Sequence, residues 1–479
     1  MALHRHFCAA AMALALSACA TAGPDYRPPE QAVANAPAAQ GDFVSGKDPA
    51  FAQAPLPDRW WSLYDDPRLD ALVEQALAAN ADLRAAEANL RKADAVLRET
   101  VGARALNTSI TSDADLERDY STQSAGANIP GVATYDLGLS LSYPLDLNGK
   151  LRRAIEGSEA DREAVAAARD AVRISVAAST ARAYAGVCAA NYQMATVRRV
   201  IALQRQTLDA TTRLARGGRG TAFDVSRART AVETSEASLP AFVAKRQGAL
   251  YLLAALLGRA PAEYPQDVAT CASLPRLTRA MPVGDGAALI RRRPDIRQAE
   301  RAIAGDTARI GVATADLYPT VSIGAGVATS GRLENLGTSD SFGFSLGPLL
   351  SWSFPNRPIV KARIEAAKAQ VDVDLAKFDA TVLDALRGTE TALETYARDR
   401  DKAAALGRAS DSAGISATQA NKLFRFGRGD FLNLLSAQGS LASAQVSHAA
   451  AEAALVDDQI AVFLALGGGW QQDGQETTK

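Results

Sequence analysis

The residues able to do chemistry are few. The chain carries three histidines and four cysteines in 479 residues. His4 and His6 fall in a stretch that reads as a secretion signal, which leaves His448 among the alanines and serines of a helical stretch. A general base needs an orienting partner or a nucleophile to serve, and no Cys or Asp is indicated nearby. The His and Cys spacing matches no metal site. Gly41 to Asp48 has the Gly-Lys of a phosphate loop. Asp48 stands where Ser or Thr is required, however, and no strand–helix context surrounds it. Arg428-Gly429-Asp430 reads as a turn and not as an adhesion tripeptide. Arg291-Arg292-Arg293 reads as a solvated charge run before a helix capped by Asp295. An enzyme is not expected, and neither is a cofactor.

The one covalent chemistry indicated is lipidation. An apolar run from Phe7 to Leu16 follows a short polar start and is too short to span a bilayer. It ends in Leu16-Ser17-Ala18-Cys19, which looks like a bacterial lipobox, so Cys19 is expected to become the lipidated first residue. Ala20 follows, not the Asp of an inner-membrane retention signal, and implies the outer membrane. Cys188 and Cys271 then remain in a compartment that permits disulfides. A net charge of −1 gives no basic excess for nucleic acid.

Proline places the elements. Residues 145–239 and 359–479 hold none, which permits two long helical regions. As one helix, Leu151–Arg216 is roughly 100 Å long, a length that belongs to a coiled-coil-like assembly and not to a compact domain. It stops at Gly217-Gly218-Arg219-Gly220. A second helical stretch runs from about Phe223 to Leu257, with a bend expected at Pro240. Apolar residues make up 48% of the chain and aromatics 6%, and the rest of that apolar content is mostly Ala and Leu, as long helices require. The segment from Pro24 to Pro67 reads as an extended tether.

Four segments alternate with period two. They are Tyr135–Leu145, Thr320–Ala328, Phe342–Phe354 and, more weakly, Leu106–Ala114. One face is apolar and the other small and polar, the pattern of strands between lipid and a wet lumen. A soluble sheet packed on helices would show the same alternation.

The chain also repeats itself. Asp82-Leu83-Arg84-Ala85-Ala86-Glu87 matches Asp295-Ile296-Arg297-Gln298-Ala299-Glu300, and Leu214–Arg229 matches Leu423–Gln438. Each half reads helix, two strands, long helix, turn, helix. The expected division is a signal at 1–18, a lipid-anchored extended segment at 19–58, repeats at 59–270 and 271–466, and a flexible tail at 467–479. Four strands cannot close a barrel, and an open edge in lipid is forbidden, so several copies must share one; three copies give twelve strands.

These features together identify a resemblance. Cys19-Ala20 leading to Gly23-Pro24-Asp25-Tyr26, Trp60-Trp61 before Asp66-Pro67, Arg292-Arg293-Pro294-Asp295-Ile296, and Phe431-Leu432-Asn433-Leu434-Leu435 occur in the order of the outer membrane factor family. The chain resembles its TolC-like, NodT-like lipoproteins over nearly the whole mature length. The resemblance implies an α+β membrane protein. It would be a homotrimer whose twelve-stranded β-barrel, four strands per chain, continues into a long α-helical periplasmic barrel with a mixed equatorial domain. It implies a passive exit duct, engaged by a periplasmic adaptor and an inner-membrane transporter of RND or similar type. A stalk-like lipoprotein that does not conduct is the rival reading.

The resemblance also places the sites. The turns Gly217, Gly218, Arg219, Gly220 and Gly427, Arg428, Gly429, Asp430 are expected to contact the adaptor, their glycines free to adopt positive φ. Phe223, Asp224, Leu432, Asn433 and Ser436 are expected at the narrowing pore. Asp224 falls on a position used in a polar lock, with Arg219 or Arg428 as partner. Ser436 stands where the family often has Asp, so no Asp ring is implied there. Counting along the hairpin from the turn brings Cys188 to within a couple of helical turns of Cys271, close enough for a bridge. Two buried free thiols are the alternative.

Overall fold

A computed structural model describes residues 21–117, 131–354 and 356–468. Cys19 and the signal lie outside the described residues. In chain order the principal elements are α1 (Pro37–Gln40), β1 (Phe51–Ala52), α2 (Pro67–Ala79), α3 (Ala81–Gly102), β2 (Asn107–Glu117), β3 (Val132–Leu145), α4 (Lys150–Arg216), α5 (Ala222–Glu236) and α6 (Leu239–Leu256). Then come β4 (Met281–Pro282), α7 (Gly286–Arg292), α8 (Pro294–Ala315), β5 (Thr320–Arg332), β6 (Phe342–Ser351), α9 (Arg357–Arg425) and α10 (Phe431–Ala465). Helix, strand, strand, long helix, shorter helix occurs twice in this order. Two compact units are formed: one from the described part of Met1–Pro29 with Asn89–Ala166 and Gln298–Phe378, the other from Glu30–Ala88, Ala167–Arg297 and the described part of Asp379–Lys479. The units therefore cut across both halves of the sequence.

In the first unit, β2, β3, β5 and β6 form an antiparallel sheet in that order, with β2 and β6 at the edges. The register aligns Ile110, Leu139, Val327 and Phe344 in one row across the sheet. The next row, on the opposite face, is Ser109, Ser140, Gly326 and Ser345. Alternation thus segregates leucine, valine and phenylalanine to one face and serine and glycine to the other. The apolar face is bare: Ile110 is 74% exposed, Phe344 81% and Leu346 76%. Below the sheet, the start of the described chain is clamped by the buried Arg153. Its guanidinium donates to Ala22 O, Gly23 O, the Asp25 carboxylate at 2.6 Å and Glu156 at 2.7 Å. A side chain on Gly311 would strike both Arg153 and Ala22 O, at 2.6 and 2.8 Å.

In the second unit, Trp60 is fully buried and stacks on Phe463 at 4.7 Å, with Tyr64 edge-on to the same ring. Tyr184 donates to the Asp66 carboxylate at 2.6 Å, and burial with that bond pushes its phenol above the ordinary range. The segment expected as a tether is instead a fitted strap. Phe43 is 2% exposed and Leu56 4%. Val33 N–H donates to Asp379 of α9, and Val44 and Ser45 N–H to the two carboxylate oxygens of Glu390 at 2.7 and 3.0 Å. Asp48 pairs with Arg400 at 2.8 Å, and Gly286 N–H donates to Gly41 O. The physical reason is that a Pro/Ala/Gly-rich segment cannot satisfy its own backbone and borrows partners from α9. The phosphate-loop-like stretch does cradle an anion, but the anion is the chain's own Glu390. Glu390→Ala is expected to cost about 1–2 kcal/mol and to raise the rate of limited proteolysis between residues 42 and 48. An unchanged cleavage rate there would contradict the strap.

Three further expectations are corrected. Arg292 and Arg293 are not solvated: Arg292 donates to Leu56 O, and Arg293 caps α10 through Ala465 O at 2.6 Å while its fork holds Asp295. Gly467 and Gly468, placed in the flexible tail, are buried and close the end of α10, with Gly467 at φ +69°. The helical stretch expected from about Phe223 to Leu257 with a bend at Pro240 is interrupted at that place, but by a full break into two helices, α5 and α6, at Ala237-Ser238, so that Pro240 takes the second position of α6 where its missing N–H costs nothing.

Candidate functional site

The two helical hairpins of the second unit end in turns built alike. After α4, Gly218 N–H donates to Ala215 O and Arg219 N–H to Leu214 O; after α9, Gly427 N–H donates to Phe424 O and Arg428 N–H to Leu423 O. Both are Schellman closures, and Gly218 and Gly427 take the left-handed position at φ +70°. Positive φ is confined to these two turn glycines. Gly217, Gly220 and Gly429 do not use it, contrary to the expectation for the whole set. Gly429 serves close approach, since a Cβ there would lie 2.9 Å from Leu423 Cβ. Arg219, Arg428 and Asp430 are exposed around the turns.

The helices that leave the turns differ. α5 starts with a capping box: Thr221 Oγ1 accepts from Asp224 N–H at 3.1 Å, and the Asp224 carboxylate accepts from Thr221 N–H at 3.1 Å and from its hydroxyl at 2.7 Å. Asp224 is therefore committed to its own helix start. Among the described residues it forms no ion pair with Arg219 or Arg428, which leaves the polar-lock expectation without a partner in this chain. α10 starts at Asp430 with no side-chain cap. Phe223 is 67% exposed with Arg227 over its ring, and Leu432 is 46% exposed. Asn433 and Ser436 are exposed on the same first turns of α10, while Phe431 and Leu434 are buried. Phe431 packs against Phe424 across the turn at 5.9 Å. The expected aperture residues thus share the outward faces of α5 and α10 close to the turns.

Sequence reasoning missed the polar seam behind them. Gln438 is 3% exposed and donates to Thr207 Oγ1 at 2.8 Å, while its own Oε1 has no partner among the described residues. Gln204, Thr207 and Thr211 are buried with it. Their signal was present as the conspicuously polar Thr207, Thr211 and Thr212 in an alanine-rich helix. Farther along α4, Cys188 is fully buried and bonded to Cys271, with Cα atoms 4.9 Å apart. Asn191 Nδ2 donates to Ala269 O and Cys271 O, so the connector between the halves is also held to α4 within one helical turn of the bridge. His448 lies against Gly407 of α9, a helix-packing position.

A family model described as outer membrane efflux protein matches residues 72–259 and 287–468. The chain belongs to this family of outer-membrane efflux channels, which is not a family of enzymes, and it is an outer-membrane protein. Nodulation protein T of Rhizobium leguminosarum bv. trifolii is 28% identical over 95% of this chain and 96% of its own length. The pyoverdine export outer membrane protein OpmQ of Pseudomonas putida is 29% identical over 99% of each. Among solved structures, the outer-membrane channel OprN is 34% identical, superposes with a TM-score of 0.86, and is matched over 94% of this chain and 99% of that one.

Proposed function

We propose that this chain is the exit duct of a tripartite efflux pump, conducting small molecules passively from periplasm to exterior. The observation that carries the reading is the sheet, with a bare apolar face, a serine- and glycine-lined face and two unpaired edges. In lipid those edges require partners. Pairing β6 of one copy with β2 of the next gives a homotrimer with one twelve-stranded barrel, an even number within the known range. The two stretches matched by the family model coincide with the two runs of like elements, which supports a tandem duplication. Lipidation at Cys19, supported by the lipobox, adds a second anchor. An adaptor docks on the glycine turns, an inner-membrane transporter loads the duct, and the choice of substrate rests with that transporter.

The pore narrows at Phe223, Asp224, Leu432, Asn433 and Ser436. Weak contacts repeated by threefold symmetry hold it shut, so a modest binding energy from the adaptor opens it. Single-channel recording in planar bilayers tests both parts. Leu432→Ser is expected to raise closed-state conductance and antibiotic leakage. Asp224→Ala acts through its lost cap, about 1 kcal/mol of helix stability, and raises conductance less. Ser447→Ala is the control. Insertion without any conductance would overturn the duct, and conductance of both variants equal to the control would place the gate elsewhere.

A further inference from the structure

A half-buried carboxyl with one enclosed oxygen lies far from the turns, where the aperture has no use for it. The Oδ2 atom of Asp458 on α10 is buried without a hydrogen-bond partner among the described residues. Across the seam, where the adjacent Gln459 donates to Tyr396 of α9 at 3.2 Å, the Asp458 carboxyl meets another carboxyl, Asp399 of α9, within hydrogen-bonding reach. Asp458 stands 27 residues (458 − 431) from the start of α10, and Asp399 stands 26 residues (425 − 399) from the end of α9. Both are therefore about 40 Å from the turn, at matching heights on adjacent helices.

The surrounding charges do not resolve the pair. Asp457, the neighbour of Asp458 on its own helix, is bound to Arg182 of α4 at 3.0 Å. Lys402 is held by Asp399 at 3.2 Å, on the solvent side of α9. Gln459 donates to the Tyr396 hydroxyl at 3.2 Å, and Tyr64 senses Asp457 from the strap side. Among the described residues, no guanidinium or ammonium bonds to the buried oxygen of Asp458. Two facing carboxylates are acceptors only, and one proton converts them into a donor–acceptor pair.

We propose that Asp458 carries a proton and donates it to the Asp399 carboxylate across the seam of α9 and α10, and that its loss loosens the hairpin whose far end carries Leu432 and Asn433. The pH window follows from burial first, then from the charges of Asp399 and Asp457. These lift Asp458 from 3.8 to about 6. The folded state then binds more protons than the unfolded chain between those values. Stability supplied by the pair is complete below the lower value and is lost as pH rises through the upper one. The hairpin is accordingly tighter in a mildly acidic periplasm than in a neutral one. The consequence for the aperture rests on the duct reading above; the seam itself does not.

The test is thermal melting of the purified full-length protein in detergent at about pH 5 and about pH 7.5, with Asp458→Asn and Asp399→Asn as variants. An amide supplies the missing donor at every pH. The melting difference between variant and parent is expected to shift toward the variant by roughly 1–4 °C on going from the acidic to the neutral condition. A difference that is the same at both pH values overturns the proposal, and Asp399→Asn decides the matter if Asp458→Asn does not fold. Closed-state leakage should rise with pH in the parent and stay flat in either variant. Absence of conductance at all pH values would remove the duct reading while leaving the melting comparison to decide the Asp458 proton.

Discussion

Replacing Cys188 and Cys271 together with alanine is expected to lower the unfolding free energy by about 4–5 kcal/mol. The chain-entropy argument sets the size. The bridge closes a loop with a sequence separation of 83 residues, comprising most of the first hairpin and the start of the connector between the halves. In the unfolded chain that loop is otherwise free, and restraint grows with the logarithm of its length. The folded state loses little, because Asn191 still holds Ala269 and Cys271 to α4. Helices of this length gain most of their stability from packing against neighbours and not from propensity, so a loosened connector should be felt along α4. Thermal melting of the oxidised protein, its reduced form and the double variant measures the effect. Thiol labelling of the denatured, unreduced protein checks the bond itself. Labelling of both cysteines would refute the bridge, and a double variant as stable as the oxidised parent would refute its energetic role.

The helices and strands were legible because their signals are local and repeated. A proline-free run of alanine, leucine and arginine can hardly be other than helix, and α4 begins and ends within a residue of the expected Leu151–Arg216. Period-two alternation marked all four strands of the antiparallel sheet, including the weak Leu106–Ala114, which pairs as Asn107–Glu117, but not the two-residue β1 and β4. What stayed hidden depends on partners distant in sequence. The segment around Val44 reads as tether because its composition has no core. Its order comes from Asp379, Glu390 and Arg400, more than three hundred residues away. Arg293 read as a surface charge for the same reason, since the carbonyl it caps belongs to Ala465.

The candidate site divides along similar lines. Glycine marked the turns, yet sequence could not tell Gly218 and Gly427, which need positive φ, from Gly429, which needs only the absence of a side chain. Asp224 was placed near the aperture, but its carboxylate is engaged by Thr221, three residues earlier. That capping-box spacing, Thr-x-x-Asp, stood in the sequence and gives a local explanation of the residue. Its counterpart Asp430-x-x-Asn433 makes no such cap, so the two hairpins enter their turns with unequal rigidity. The less firmly capped α10 is also the helix that carries Leu432 and the Asp458 seam.

Arginine at Leu139 is expected to prevent assembly, whereas arginine at the next residue, Ser140, is tolerated. Leu139 is the eighth residue of the fourteen in β3, so it lies near mid-height of the strand. A strand of that length, tilted by about 45°, spans roughly the hydrocarbon thickness. Leu139 is flanked by Ile110 and Val327 on the bare apolar face. A cation there costs about 2–4 kcal/mol at the midplane, and in a trimer the cost recurs in every copy. Ser140 points the other way. Its hydroxyl meets Ser109 Oγ at 2.7 Å, its other neighbour is Gly326, and beyond that is Ser345. These small side chains leave room for arginine in a wet lumen, where its charge remains hydrated. Native mass spectrometry in mild detergent should find the Ser140→Arg protein as trimer and the Leu139→Arg protein depleted of it, with aggregated or monomeric chains in its place. A parent that is monomeric or dimeric would remove the shared barrel. The reverse pattern, with Leu139→Arg trimeric and Ser140→Arg not, would mean that the serine face and not the leucine face meets lipid.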